Sequence, residues 1–182
     1  ESFIMNLKKQ ISSQDVGINV ENINDVEINP NNNKIYVSKS QNNNLTVIDG
    51  NSDTILRNIS LIGYPDSLAV SPLHDFLYVL ENGTSFLTII DSISDKIVAN
   101  KTIGDLGLDK EIIFDVGADG KGYITAEGSD TVYMIDPCLG EDSAEGCRRL
   151  LLSSTYDNND VTVSNMSIGD GTRDLFVNKY IN

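Results

Sequence analysis

An all-β fold assembled from repeated four-stranded sheets is what this sequence predicts. Three observations predict it: a fixed repeat spacing, the chemistry of the repeated runs, and the absence of helical periodicity. Ile35-Tyr36-Val37 precedes Leu45-Thr46-Val47-Ile48-Asp49, Leu77-Tyr78-Val79 precedes Leu87-Thr88-Ile89-Ile90-Asp91, and Gly122-Tyr123-Ile124 precedes Val132-Tyr133-Met134-Ile135-Asp136. Tyr to Asp is 13 residues in each copy, and the first two copies are 42 residues apart. The runs are short, β-branched or aromatic, and bounded by Gly, Pro, Asn and Asp, which is strand chemistry. Four strands per unit, the middle ones almost continuously apolar because neighbours cover both faces, describe the blade of a β-propeller. A β-solenoid is the competing architecture, with shorter rungs and no four-strand meander.

Let the strands of a blade run from a (inner) to d (outer). Residues 3–11 align with the outer strands that begin at Ile55 and Ile97, so 1–17 reads as the outer strand of a preceding blade. The first blade, 18–63, has strand a at Val26-Glu27-Ile28, a turn at Pro30, strand b at Tyr36, strand c ending at Asp49 and strand d from Thr54 to Ile62. The second, 64–104, repeats this with Leu68-Ala69-Val70, Pro72, Tyr78, Asp91 and Lys96 to Ile103. The third, 105–155, runs from Ile112 to Val116, through the Gly-rich turn at Gly117 to Gly120, past Tyr123 and Asp136, to an outer strand at Arg149 to Ser153. It carries a Cys-containing insert at 137–148. Met166-Ser167-Ile168 reads as the inner strand of a further half-blade at 156–182, followed by Leu175-Phe176-Val177. About three and a half blades do not close a ring, and open blade faces are apolar, so the remaining blades are expected from the same parent or from a second chain.

The stretch Gly63-Tyr64-Pro65-Asp66-Ser67-Leu68-Ala69-Val70-Ser71-Pro72, followed by Leu77-Tyr78-Val79, Leu87-Thr88-Ile89-Ile90-Asp91 and Asp95-Lys96-Ile97-Val98, resembles the YVTN repeat of surface-layer-type β-propellers. Ile28-Asn29-Pro30, Lys34-Ile35-Tyr36-Val37-Ser38 and Val47-Ile48-Asp49 match the same pattern. The resemblance covers about 18–136 and implies a scaffold found in archaeal and bacterial extracytoplasmic proteins, hence an extracellular or cell-surface location. It implies no single activity. Where that family places Asn after Tyr-Val-Thr, this chain has Lys39, Glu81 and Ala126.

Composition narrows the function classes. A net charge of −14 repels phosphate backbones and argues against nucleic acid as a partner. No apolar run approaches the ~20 residues of a membrane span. Cys-x-x-Cys-His, Gly-x-Ser-x-Gly and the P-loop are missing, so no cofactor and no catalytic residue is assigned. Cys138 and Cys147, with eight residues between them in a polar loop of Gly, Glu and Ser, suit a small surface disulfide, with reduced thiols as the alternative. Their spacing is not that of a zinc site, so no metal is assigned either. The sole histidine, His74, falls in an a–b turn and reads as a solvated turn residue. Asp49-Gly50-Asn51-Ser52-Asp53 has the oxygen spacing of a calcium loop, but the next copy, Asp91-Ser92-Ile93-Ser94-Asp95, puts Ile at a ligand position. Asp side chains closing a turn are therefore the preferred reading.

Loops joining strands d to a, and b to c, gather on one face around the channel mouth. They hold Tyr64, Asp66, Asp105, Asp109, Glu111, Tyr156 and Asp157, with Lys39, Glu81 and Glu127 from the second set. Tyrosines among carboxylates suit a protein or cationic partner. Asp25, Asp66 and Glu111 approach strand a in successive blades, with Asp160 near the next, and together form a candidate acidic rim. The alternative is that an acidic protein places carboxylates at many loop ends. Of the Asn-x-Ser/Thr sequons, Asn44, Asn58, Asn82 and Asn100 are expected to be open to glycan, and Asn165, next to an inner strand, to be closed to it. The function expected is a non-catalytic binding or structural scaffold. The alternative is a lyase- or lactonase-type propeller enzyme whose catalytic residues lie mostly elsewhere.

Overall fold

The computed structural model describes residues 23–82, 86–103, 112–138, 146, 147, 149 and 162–167. The strand expected at 3–11, most of that at 149–153, and Leu175-Phe176-Val177 lie outside the described residues. Three four-stranded antiparallel sheets are present, each in chain order. The first blade comprises β1 (Ile23–Asn29), β2 (Lys34–Lys39), β3 (Asn44–Asp49) and β4 (Thr54–Ser60). The second comprises β5 (Tyr64–Ser71), β6 (Phe76–Asn82), β7 (Phe86–Asp91) and β8 (Lys96–Thr102). The third comprises β9 (Ile112–Val116), β10 (Gly122–Ala126), β11 (Thr131–Asp136) and β12 (Thr162–Ser167). The inner strands stand in succession, β1 beside β5 and β5 beside β9. No helix among the described residues is long and apolar enough to cross a membrane.

The position of β12 corrects the sequence reading of Met166-Ser167-Ile168 as the inner strand of a further blade. Thr162–Ser167 pairs with β11 from Thr131↔Ser167 to Asp136↔Thr162, which makes it the outer strand of the third blade. Its side chains agree with that place, since Val163 packs on the core between the second and third blades and Met166 is 62% exposed. The cause is the insert. It lies in the c–d connection, where 25 residues separate Asp136 from Thr162 against four between Asp49 and Thr54, and so it postpones the fourth strand.

Turn chemistry sets the blade ends. Asn33, Asp75 and Gly120 close the three a–b turns, and Asp53 and Asp95 close two c–d turns, all with φ between 55° and 79°. Asn, Asp and Gly are the residues that tolerate this left-handed region. Each Asp that ends strand c binds its own turn: the Asp49 carboxylate accepts from the Asn51 N–H at 2.9 Å and the Ser52 hydroxyl at 2.8 Å. Asp91 accepts from the Ser94 hydroxyl at 2.5 Å. These bonds hold the Asp49 carboxyl below its usual pKa. The carboxylates are thus engaged as turn caps, as the turn reading expects.

The cores lie between sheets. Along β6, Leu77 and Val79 join Tyr36, Leu45, Val47, Ile59, Leu61 and Leu68 between the first and second blades. Phe76, Tyr78 and Leu80 point the other way, to Val116, Ile124 and Ile135 of the third. A strand covered on both faces must be apolar at every position, which is why strands b and c do not alternate.

Polar links pin the a–b turn of the first blade to the second. Fully buried Asn29 donates to Ser92 Oγ at 2.7 Å, and Asn31 donates to the Pro72 carbonyl at 2.7 Å and to Asp75 Oδ1 at 3.0 Å. Lys34 Nζ reaches Asp95 Oδ1 at 2.7 Å, and Arg57 Nε lies 3.4 Å from its other oxygen. Tyr36 donates to the Ser92 carbonyl and Tyr78 to the Gly120 carbonyl, so the repeated tyrosine of strand b reaches into the following blade in both cases. Burial, then the Asp95 charge, pushes the Tyr36 phenol well above its usual pKa and keeps it a donor. Replacing Asn29 by Ala strands buried partners and is expected to cost about 1–3 kcal/mol in urea unfolding. Asn31→Ala, at an exposed link, should cost less than about 1 kcal/mol.

Candidate functional site

The face carrying the d–a and b–c loops is built at the start of β5. In the β5–β6 ladder Pro65 faces Glu81 and Ser67 faces Leu80, so Asp66 is the extra residue of a bulge. A matching irregularity in β1 lies between Ile23 and Val26. Bulges re-aim side chains. Here they turn Asp25 and Asp66 toward one another across the blade boundary. Asp25 Oδ2 accepts from the Leu68 N–H at 2.8 Å, and Asp66 Oδ1 accepts from Asn24 Nδ2 at 3.3 Å. Burial, then the Asp25 charge, raises the Asp66 carboxyl above its ordinary pKa. By ladder register Asn24, and not Asp25, is the counterpart of Asp66, because Ile23 faces Lys39 as Pro65 faces Glu81. Beside this pair Tyr64 is 52% exposed. Lys39 is half-buried at the end of β2, and Glu127 is exposed in the b–c turn of the third blade. Asp105, Asp109, Glu111, Tyr156, Asp157 and Asp160 lie outside the described residues.

Glu81 does not belong to that surface. It is 1% exposed, and its carboxylate accepts from the Gly63 N–H and the Thr88 hydroxyl. The register that pairs it with Pro65 and Phe86 turns it inward, where two donors satisfy it.

A cavity of about 400 Å³ opens on the inner strands at their a–b turn end. Its wall repeats by blade: Glu27, Ala69 and Asp115, then Ile28, Val70 and Val116. Sequence reasoning missed Glu27 and Asp115. The shared register of Glu27, Ala69 and Asp115, opposite the repeated tyrosines Tyr36, Tyr78 and Tyr123 of strand b, is the signal that marks them as equivalent positions on the cavity wall.

His74 departs most from expectation. Far from being a solvated turn residue, it is 3% exposed. Gly120 makes the room: a Cβ there would sit 2.1 Å from His74 Nδ1, a distance no side chain tolerates. The ring packs near Phe76, and Cys138 Sγ lies 3.7 Å from Nδ1. The Cys138–Cys147 disulfide is present, with Cα atoms 4.9 Å apart. It is buried, not at the surface, because it fills the core between the second and third blades under His74. His74 and the two sulfurs place their ligand-type atoms within 4.8 Å of one another.

Burial holds the His74 pKa below the usual 6.5, against the opposing pull of Asp136, Asp119 and Asp75. Below about pH 6.5 the unfolded chain therefore binds a proton that the folded chain refuses, and stability falls as pH drops toward the folded value. The melting temperature should decline from pH 7 to pH 5 in the natural chain. In His74→Phe that decline should be flattened, and an equal decline in both would contradict this reading.

The sequons also redistribute. Asn58 lies opposite Thr46, Asn100 opposite Thr88 and Asn165 opposite Tyr133, so all three hold the same place on the outer strand. Asn165, expected to be closed to sugar beside an inner strand, is exposed on β12 because β12 is an outer strand. Asn82 is exposed at the end of β6, and Asn44 is half-buried with its Oδ1 accepting from Ser60.

No protein-family model matches the chain, and no curated protein is similar to it. Solved structures are similar in fold. AztD from Citrobacter koseri in its apo form aligns with a TM-score of 0.56 at 16% identity, over 80% of this chain and 35% of that one. The dihydro-heme d1 dehydrogenase NirN in complex with DHE gives 0.57 at 9% identity, over 85% and 30%. The WD40 repeats of RRP9 give 0.52 at 13% identity, over 64% and 36%. The chain spans about a third of the length of these structures. At such identities the likeness establishes the fold, and the three sheets are blades of a β-propeller.

Proposed function

We propose that this chain is part of an extracytoplasmic or cell-surface β-propeller of the YVTN, surface-layer type, and that it binds a protein or cationic ligand without catalysing a reaction. The observation that carries the reading is the junction of the first two blades. There the Asp25 and Asp66 carboxylates interact across the blade boundary, two residues along β5 from the exposed Tyr64, on the face where propeller loops have freedom to vary. An aromatic ring supplies contact area, and the Asp66 carboxylate, disfavoured by burial and by the neighbouring Asp25 charge, gains from a cation placed against it. The disulfide supports an oxidising compartment. Asn58, Asn100 and Asn165, aligned on the outer strands, are the sequons this reading assigns to glycan, away from the loop face.

An enzyme on the same scaffold is the second reading. The cavity at the opposite end of the inner strands favours it, since Glu27 and Asp115 supply two carboxylates there. One of the solved neighbours is by its own description a dehydrogenase.

An oligolysine peptide titrated calorimetrically tests the first reading. Tyr64→Ala combined with Asp66→Asn should weaken binding at least about tenfold, or 1.4 kcal/mol. Asp53→Asn, which removes the same charge from a turn on the other face, should change it by less than about twofold, and added salt should weaken the natural complex. Equal losses in the two variants would contradict the assignment. Saturation of the Glu27 and Asp115 cavity instead would promote the enzyme.

A further inference from the structure

His74, Cys138 and Cys147 come from two different blades and meet in one dry place. Their exposures are 3%, 3% and 0%. Among the described residues, Nε2 of His74 has no hydrogen-bond partner and Nδ1 faces the Cys138 sulfur at 3.7 Å. A buried imidazole is ordinarily held by an oxygen partner, and this one is held by sulfur. Its position is nevertheless well defined. The glycine at 120 leaves the ring its space, and the Asp136 carboxylate accepts from the Cys138 N–H at 2.9 Å, anchoring the residue that carries the sulfur.

We propose that these three residues form a metal site gated by the disulfide: in the reduced chain, Cys138 Sγ, Cys147 Sγ and a His74 ring nitrogen take up one Zn²⁺ or similar borderline-soft cation. Two thiolates and an imidazole are the donor set such ions prefer. A tetrahedral ion with Zn–S bonds of about 2.3 Å and Zn–N bonds of about 2.0 Å spaces its N and S ligands about 3.5 Å apart. The observed 3.7 Å between Nδ1 and Cys138 Sγ is close to that edge. All three ligand atoms fall within 4.8 Å, so the rearrangement required is a parting of the sulfurs once their bond is broken. The fourth position is taken by a water that the ion carries in from its hydration shell. The sequence hides the site because Cys-x8-Cys has no zinc spacing, and the third ligand is 64 residues before Cys138.

The redox step balances with a phosphine as reductant. Its phosphorus gives two electrons to the disulfide, the S–S bond breaks, a water molecule supplies the oxygen of the phosphine oxide and its two protons, and two thiols result. Metal binding then releases those two protons as the thiolates coordinate. In the oxidised form Cys138 only contacts His74 at 3.7 Å, whereas the metal-bound form ties both cysteines to His74 in the second blade.

The test uses the full chain, reduced by a phosphine, desalted without oxygen and titrated with Co²⁺. One Co²⁺ per chain should bind, with thiolate-to-cobalt charge-transfer absorption and the visible bands of a tetrahedral ion, and Zn²⁺ should displace it. The oxidised chain should show neither band. Cys138→Ser with Cys147→Ser should abolish the charge transfer, and His74→Phe should weaken Co²⁺ binding at least about tenfold. His74→Gln should weaken it likewise, as a second variant that keeps a polar group, with circular dichroism confirming the sheets in each. A reduced chain without the charge-transfer band overturns the proposal. So does unchanged affinity in both His74 variants, or reduction that melts the sheets without recovery on adding Zn²⁺.

Discussion

Everything in this fold depends on one packing constraint: a blade has no core of its own, and each middle strand must give alternate side chains to two different interfaces. β6 is the clearest case, with Leu77 and Val79 buried toward the first blade and Phe76, Tyr78 and Leu80 toward the third. Burying such side chains stabilises by about 1.5–3 kcal/mol each, but only where a neighbouring sheet completes the contact. Outer strands carry less of this burden. β4 is exposed at nearly every position, and its Ile59 alone enters the core.

Apolar contact between sheets is not directional, so the register of one blade on the next is set by polar groups. At the a–b turn end the first blade sends Asn29, Asn31, Asn32, Lys34 and Tyr36 into the turns of the second. Between the second and third blades the same end is built differently. Tyr78 still donates to the third blade, but Gly120, His74 and the disulfide replace the asparagine lattice. The chemistry of the His74 region therefore follows from a local substitution in a repeated joint. At the opposite end, paired bulges aim Asp25 and Asp66 together, and the cost of that proximity is what makes the spot receptive to positive charge.

Most of this frame is legible in the residues. The 13-residue Tyr-to-Asp spacing identifies strands b and c, and the Pro- and Gly-containing turns identify strand a. Three failures have separate physical causes. Met166-Ser167-Ile168 reads as an inner strand because an apolar triplet looks the same on either side of a blade, and only the pairing with β11 decides. His74 reads as solvated because its burial depends on a missing side chain at Gly120, in another blade. Glu81 reads as a loop carboxylate because one residue of register separates the surface from the interior, and the bulge at Asp66 sets that register. The fold follows from periodic local chemistry, whereas the sites arise from single contacts across blade boundaries that no local pattern records.

The central claim, that the two faces of a middle strand answer to different neighbours, is tested most directly by hydrogen exchange on the full chain with single core truncations. Leu77→Ala should accelerate exchange in β2 and β3 and leave β10 and β11 nearly unchanged, while Phe76→Ala should do the reverse. Equal acceleration of all three sheets by both substitutions would mean that the blades share one cooperative core, and would contradict the account.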